Sequence, residues 1–571
     1  MEEHLRDLVQ REFLSLDTDP RSPEQGQYGF VQGLIGEVAY ATLSRRDRSA
    51  KHLVVARHLA ALEDNELTAV VAFHYVEAHR AAPEGQEAAP IAAGARDWLS
   101  RAGRRALSLG SPEQALALFE QDLEMTESGP ERGGLLELAG QAAEFASIYD
   151  RAAALFEEAI DYYEATGDAN AVARTTVGLA RVLEDIVHFS DEIARLERVF
   201  RALGDGADEH VKATLACELA RCADFAGTYQ CALEWSETAL AIAERLDDIA
   251  PLARSIGARS YALFNLGRHQ EAVILARGRV VFAEASGSLF DQTNAWTTLS
   301  LFIFDENPRE ALSAAMKASE LARRAGHRGF EAVNLLNAAE KSLFLGEWGD
   351  TRAAIAELRS RELHSVHREL LTCTEALLTA LTGDTAEDAP YLAKYVDRLA
   401  ASEEVAVRAT YLQARALMSL ATGDIDAARR AAAEAVSVDP VGINSPRALA
   451  IQARAALWLH DIDGARAALA GMKAFRGRWM TAARIATEAG LAALEGRVEQ
   501  ASQAYREAIE AWRTLECPLD LALCELDLEL LVGPDHLDAT VAKEAREIFT
   551  ELGAKPFLER LDQATGLAGA N

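Results

Sequence analysis

Basic side chains are the first shortage in this 571-residue sequence: 58 Lys and Arg stand against 89 Asp and Glu, a net charge of −31. Phosphate backbones and anionic membranes are bound by basic faces, so this balance argues against a nucleic-acid or membrane surface. The acidic excess reads as a solvated exterior that keeps an apolar chain soluble, or as an acidic docking face. Six cysteines form no CxxC pair and no disulfide framework, which fits reduced thiols in a cytoplasmic protein. No stretch approaches the roughly 18 apolar residues of a membrane span. The charged opening MEEHLRDLVQREF lacks the apolar core of a secretion signal. Aromatics are only 7% while apolar residues reach 49%, so the core is built from Ala and Leu, as helices at close approach require.

Chemical motifs are equally scarce. HExxH, GxSxG and a GxGxxG in strand context are absent, and the thirteen histidines do not pair with cysteines at zinc spacing. His364 and His367 could share a metal but read as solvated surface. Asp461, Asp463 and Gly464 faintly resemble a calcium loop without its closing glutamate, and a helix-to-helix turn explains them better. An all-α hydrolase or lyase would need paired carboxylates that regular single repeats do not supply. The expectation is no enzyme, no cofactor and no metal.

What is present is an internal repeat. The stretch GRVEQASQAYREAIEAW, Gly496 to Trp512, recurs as GSPEQALALFEQDLEM from Gly110, SIYDRAAALFEEAIDYY from Ser147, GTYQCALEWSETALAI from Gly227, GRHQEAVILARGRV from Gly267 and GDIDAARRAAAEAVSVDP from Gly423. Aligning the turn residues gives positions 110, 147, 187, 227, 267, 306, 346, 383, 423, 460 and 496, eleven units stepping by 36 to 40 residues.

Five places after the turn stands alanine in eight units: Ala115, Ala152, Ala232, Ala272, Ala311, Ala428, Ala465 and Ala501. The exceptions are Glu192, Thr351 and Asp388. Two antiparallel helices joined by a short turn come closest near that turn, where only a Cβ fits between the backbones. Seven places before the turn another small residue recurs, as in Gly103, Gly140, Ala416 and Ala489. Each unit is therefore predicted to be a helix, a tight turn and a second helix.

These residues resemble the tetratricopeptide signature: Gly140, Ala152, Phe156 and Ala159 in one unit, Ala489, Gly496, Ala501, Tyr505 and Ala508 in another, with Pro440 at a closing-proline position. The period exceeds the roughly 34 residues of the standard repeat, so each helix pair is about a turn longer.

The first 80 residues carry no repeat. Leu5, Leu8, Val9 and Phe13 form a helical stripe. FLSLD and YGFVQ then read as short strands joined by a loop with Pro20, Pro23 and Gly26. A helix follows with Leu34, Ile35, Val38, Ala39 and Leu43 expected inward, and then a basic run, Arg45, Arg46, Arg48, Lys51, His52, Arg57 and His58. Helix, hairpin and helix make the tail of a winged-helix module. Asp47 and Glu63 interrupt the basic run, which reads as a docking patch, candidate residues Arg45, Arg46, Arg48, Lys51 and His52, in preference to a DNA reader.

YGFVQGLIGEVAYATLSRRDRSAKHLVVARHLAAL resembles the segment after the nucleotide-binding domain of bacterial STAND-type and AAA-type signalling ATPases, including those fused to class III adenylate or guanylate cyclases. Phe30, Glu37-Val38-Ala39-Tyr40, Arg45, Arg46 and His52 carry the likeness, over about a tenth of the chain. Long tetratricopeptide-like arms follow the winged helix in such proteins, and AREIFTELGAKPFLERLDQA, Ala545 to Ala564, is similar to their closing helix pair, punctuated by Gly553 and Pro556. The resemblance implies that the winged helix packs against the nucleotide-binding core as a relay. A P-loop needs GxxxxGK[ST], yet none of the eight lysines follows a glycine, so nucleotide binding and cyclase activity do not transfer.

The expected fold is all-α: a right-handed tetratricopeptide-like superhelix of about eleven helix pairs with a small partial winged-helix module in front. Its parts are the winged-helix module at 1–80, the solenoid at 92–516, capping helices at 517–566 and a disordered tail at 567–571. Places two, five, nine and twelve of each first helix tend to face the concave groove in tetratricopeptide arrays. Those places or their neighbours hold Arg221, Asp224, Tyr261, Asn265, Trp296, Ser300, Asn337, Glu340, Gln413 and Arg454. Such a polar and aromatic row suits a protein, peptide or small ligand. Against this, Tyr261 and Trp296 fill inter-repeat core as aromatics at helical spacing usually do. Asn337, with Asn334 one turn earlier, fits the groove better, since buried unpaired amides are costly. The expected function is a non-catalytic sensor and interaction arm that relays to an ATPase or cyclase module. The alternative is a free-standing tetratricopeptide scaffold with no nucleotide link.

Overall fold

A computed structural model of the chain describes all residues except 1, 19–25, 82–87, 127, 184–188, 205, 362, 364, 385–398, 401, 403–404, 534–538 and 567–571. The expected tail, the third turn at 187, Asp388, His364, Pro20 and Pro23 lie outside the described residues. The chain divides into two compact units, 1–139 and 140–571.

The first unit opens with α1 (Glu2–Gln10), β1 (Leu14–Leu16), β2 (Tyr28–Phe30) and α2 (Gly33–Ala41). The strands pair antiparallel, Leu14 opposite Phe30 and Leu16 opposite Tyr28, so the helix, hairpin and helix occur in the order the sequence predicts. The expected inward face of α2 is corrected here. No residue of α2 is buried, and Leu34 and Val38 are 69% and 59% exposed. The basic run forms a separate helix, α3 (Arg45–Ala60), because Ser44 caps it by accepting from the Asp47 amide. Then come α4 (Thr68–Ala81), α5 (Ala88–Ser108) and α6 (Pro112–Met125).

Helix pairs follow one another through the rest of the chain: α7 (Glu131–Phe145) with α8 (Tyr149–Thr166), and α9 (Ala169–Val182) with α10 (Phe189–Ala202). Next are α11 (Glu209–Phe225) with α12 (Tyr229–Ala243), α13 (Ile249–Asn265) with α14 (His269–Ser286), and α15 (Leu289–Phe302) with α16 (Pro308–Arg324). After α17 (Arg328–Phe344), α18 (Trp348–Arg359) and α19 (Ser365–Thr382) come α20 (Val405–Ala421) with α21 (Ile425–Val438) and α22 (Ser445–Trp458) with α23 (Ile462–Met472). The last are α24 (Arg478–Leu494), α25 (Val498–Leu515), α26 (Pro518–Leu531), α27 (Ala539–Leu552) and α28 (Lys555–Ala564). The partner of α19 would fall on residues outside the description.

The turn positions read from the sequence are where the backbone reverses. Gly110, Ser147, Gly227, Gly267, Gly346, Gly383, Gly423, His460 and Gly496 all have φ between +57° and +86°, the left-handed conformation that ends a helix. Position 306 reaches its turn differently, with the Asn307 side chain capping α16 and Pro308 starting it. All eight turn-proximal alanines have zero exposure. The small residues seven places before the turn are equally constrained. A Cβ on Gly103 would meet the Phe119 ring at 2.4 Å, and one on Gly140 would meet the Phe156 ring at 2.8 Å.

Within the second unit the stack returns to touch itself every four to five repeats. His269 Nε2 lies 2.9 Å from the Val441 carbonyl, 172 residues on, and its ring stacks on Phe475. The Trp479 amide donates to the Asp305 carbonyl at 2.9 Å, and Lys555 Nζ reaches Asp384 at 2.8 Å, 171 residues back. Gly227 faces Val405, Gly267 faces Val441, and Gly346 faces Pro518. Turns between paired helices therefore pack on the starts of first helices one superhelical revolution later. The unit is an all-α, tetratricopeptide-like superhelix whose successive revolutions are in contact. At its end Phe549 of α27 stacks on Phe557 of α28, closing the core.

Candidate functional site

The first helices α11, α13, α15, α17, α20 and α22 carry the ten residues read from the sequence as groove candidates. Four of them form side-chain to side-chain polar pairs. The Asp224 carboxylate on α11 accepts from Asn265 Nδ2 on α13 at 2.9 and 3.0 Å. Arg454 Nε on α22 donates to both oxygens of Asp527 on α26, at 3.1 and 2.8 Å. Arg221 Nε donates to Glu218 at 3.0 Å, and its guanidinium lies 5.0 Å from the Phe225 ring centre. Asp224 is buried, and loss of hydration pushes its carboxyl up to about 7, against the lowering by Asn265.

The other six are placed differently. Ser300 is fully buried, its hydroxyl donating to the Thr297 carbonyl at 2.8 Å, and so belongs to the core. Gln413 is also buried, and its Oε1 has no hydrogen-bond donor among the described residues. Tyr261 is half-buried, edge-on to Phe302 at 5.0 Å, and burial raises its phenol pKa. Trp296 is half-buried with its indole N–H enclosed and unpartnered among the described residues. Asn337 and Glu340 are half-buried beside Lys341, whose ammonium reaches the Asn337 carbonyl at 3.3 Å. Burial pushes that ammonium down to about 8. Asn334, read with Asn337 as a groove amide, is instead fully buried and paired. Its Oδ1 accepts from Thr297 at 2.8 Å, and its Nδ2 donates to the Phe330 carbonyl.

Taken together these bonds form a ladder between successive first helices. Arg181 of α9 holds Glu144 of α7 through two bonds, at 2.9 and 3.1 Å. Asp224 joins Asn265, and Arg254 of α13 holds Asp291 of α15 at 2.7 and 3.1 Å. Thr297 joins Asn334 on α17. Each rung spans one repeat, 37 to 41 residues. The buried acids are satisfied by charge-assisted bonds, which offset the cost of dehydrating them.

Near the end of the superhelix lies a cavity of about 20 Å³ lined by Arg454, Trp479, Thr487, Trp512, Asp520 and Asp527. Trp458 Nε1 donates to Asp527 at 2.7 Å and Trp479 Nε1 to Asp520 at 3.2 Å. A space of that size accommodates one water molecule. Sequence reasoning found Arg454 here but not its partners. The signal was available in PLDLALCELDLELL, where four acids interrupt an otherwise apolar helix and must each find a partner.

The candidate docking patch also divides. Arg45 donates to the Arg80 carbonyl at 3.2 Å. Arg48 donates to the Leu43 carbonyl at 3.2 Å and lies over the Tyr40 ring. His52 is held at both ring nitrogens, by Tyr40 Oη at 2.9 Å and His74 Nδ1 at 2.8 Å, and burial lowers the pKa of both imidazoles. Arg46 and Lys51 are exposed. Asp461, in the motif resembling a calcium loop, caps α23 by accepting from the Gly464 amide at 2.9 Å. Among the described residues no three His, Cys, Asp or Glu gather where they could hold a metal, and no helix is long and apolar enough to cross a membrane.

No family model matches the chain, and no curated protein matches it. Solved structures of similar architecture include a Rap protein complexed with competence and sporulation factor, at 14% identity and TM-score 0.43, covering 60% of this chain and 97% of that one. The apo quorum sensor NprR from B. thuringiensis aligns at 14% identity and TM-score 0.39, covering 57% and 91%. A signal transduction ATPase with numerous domains and a tetratricopeptide repeat sensor, from Pyrococcus horikoshii, aligns at 14% identity and TM-score 0.39, covering 72% of this chain and 65% of that one.

Proposed function

We propose that this chain is a non-catalytic sensor and protein-interaction arm of a signalling ATPase- or cyclase-type regulator. The observation that carries the reading is the ladder of polar bonds between successive first helices. A protein, peptide or small ligand that wedges between two first helices, or competes for one rung, alters the spacing of the next, because each repeat is held by its neighbours. The N-terminal helix, hairpin and helix, as a partial winged helix, passes the change to a nucleotide-binding partner.

The test is affinity of the purified chain for nucleotide-binding modules from the same genome, loaded with ATP or with ADP. The expected outcome is a difference of about tenfold between the two states, reduced by Asp224→Asn with Asn265→Leu, which removes one rung. Equal affinity in both states supports a free-standing scaffold instead.

A further inference from the structure

A chain of three ring side chains joins α2, α3 and α4. His52 of α3 and His74 of α4 meet with their Nδ1 atoms 2.8 Å apart, and His52 Nε2 lies 2.9 Å from the Tyr40 hydroxyl oxygen of α2. Two imidazole nitrogens at that distance need a single proton between them, since two lone pairs or two N–H groups would repel. A neutral pair meets this condition in either tautomer. So does a pair with one added proton, because a charged His52 donates from Nδ1 to His74 and from Nε2 to Tyr40. A second added proton puts an N–H on both Nδ1 atoms, and the bond becomes a contact between two cations.

The two helices that carry the histidines are fixed to each other. Ser49 Oγ of α3 donates to the Ala78 carbonyl of α4 at 2.8 Å, and Ala56 of α3 and Ala72 of α4 are fully buried. Relief therefore comes from turning a ring. Glu77 stands one turn after His74 on α4 and favours a charged His74 where it is, so His52 gives way. Both nitrogens of His52 belong to one rigid ring, and a rotation that parts the Nδ1 atoms takes Nε2 off Tyr40. Little else holds α2: none of its residues is buried, and its other described tie to α3, Arg48 over the Tyr40 ring at 5.3 Å, runs through the same side chain. The strand pair is joined to α2, with the Phe30 ring 3.0 Å from where a Cβ on Gly36 would be.

The charged and titratable groups around the pair come from each neighbouring helix. On α4 they are Glu77 and Arg80, bonded to each other at 2.8 Å. On α3 they are Arg48, which donates to the Leu43 carbonyl, and the exposed Lys51, and on α2 the Tyr40 phenol. On α5, which packs on α4, Arg96 pairs with Glu131, Arg101 with Asp97 and Arg105 with Glu66, and Arg104 is exposed. Burial, joined at His74 by the neighbouring His52, lowers both imidazoles from the usual 6.5 against the pull of Glu77. Groups lowered in this way are neutral near pH 7, and it is acid that charges them. We propose that Tyr40, His52 and His74 form an acid-operated latch, which holds α2 and the strand pair on α3 while the histidines carry at most one added proton and frees them on the second. The latch makes the N-terminal block responsive to protons whatever the superhelix binds.

The experiment places a fluorine label at the exposed Glu37 of α2 in the full chain and follows its resonance from about pH 7.5 to about pH 4.5. In the parent a second, narrower resonance from freed α2 is expected to grow by about fivefold or more across this range. His74→Asn keeps an acceptor for His52 and takes no second proton, so its narrow resonance should grow by less than about twofold. Tyr40→Phe removes the hydroxyl and should show the narrow resonance already at about pH 7.5. A parent spectrum unchanged by acid overturns the latch. So does an equal rise in His74→Asn, which assigns the acid response to other groups. A Tyr40→Phe spectrum that matches the parent near neutral pH does the same, since α2 would then be held by other contacts.

Discussion

Arg447, at the start of α22, inserts its guanidinium between Phe304 and Phe344, 3.9 and 4.2 Å from the two ring centres. The rings belong to the previous revolution of the superhelix, and Trp479 closes a third side at 5.6 Å. Nε and Nη2 have no hydrogen-bond acceptor among the described residues, so the cation is held by ring faces and by packing of its stem.

Removing that side chain should loosen the contact between revolutions. Arg447→Ala is expected to cost about 2–4 kcal/mol, a cavity term plus lost cation–π attraction. Arg447→Met, which keeps the stem and removes an imperfectly compensated charge, should stay within about 1 kcal/mol of the parent. Chemical denaturation midpoints of the two variants decide this. Equal losses would mean that the charge itself is the pin.

Two turns make opposite predictions at the same backbone geometry. Gly496 has φ of 79°, and Gly496→Ala is expected to destabilise by about 1 kcal/mol because Cβ crowds the following carbonyl. His460 is exposed with φ of 57°, and His460→Gly should raise the melting temperature for the same reason. A lower melt for His460→Gly would show that the imidazole contributes more than its strain costs.

Stability should fall as pH rises. Glu525 on α26 is fully buried, and burial, then the neighbouring Glu544 carboxylate, push its carboxyl from 4.5 up to about 9. A group whose pKa is raised on folding favours the fold below its unfolded value and loses that contribution as pH climbs through the folded one. The window therefore runs from about pH 4.5 to about pH 9, with Asp224 adding its share below about pH 7. Melting temperatures of the parent should decline across this window, and Glu525→Gln should flatten the decline between pH 7 and 9. Parallel curves for parent and variant would assign the slope elsewhere.

Hydrogen exchange should separate the chain into two regimes. Helix α1, the strands β1 and β2, and α2, with one large apolar side chain buried among them, are expected to exchange within seconds to minutes, while α15 and α17, wrapped on both sides, should be protected for hours. Protection in α2 equal to that in α17 would contradict the exposure of Leu34 and Val38.

Much of this architecture was legible in the residues because it obeys near-neighbour rules. The left-handed turn at Gly496 and the zero exposure of Ala501 follow from how closely two helices approach after a short reversal, and the sequence states both in one stretch of a dozen residues. The hairpin of β1 and β2 was legible for a similar reason, since the punctuated loop and two alternating runs lie side by side. The candidate groove was legible only in part. Asp224, Asn265 and Arg454, read as groove candidates, are bonded across repeats, and a pattern along one helix does not say whether a neighbouring helix supplies the partner. Asn334 and Ser300 show the other outcome, as the core took both.

The sequence by itself determined the helix pairs, their period, the turn residues and the small residues where helices meet, because each is a constraint within one repeat or between adjacent ones. Only the tertiary structure decided that Arg447 would meet Phe304 and Phe344, that His269 would stack on Phe475, and that Leu34 and Val38 would face outward. Those outcomes depend on a small rotation per repeat that accumulates over four to five units until revolutions touch, and no single repeat carries the sum.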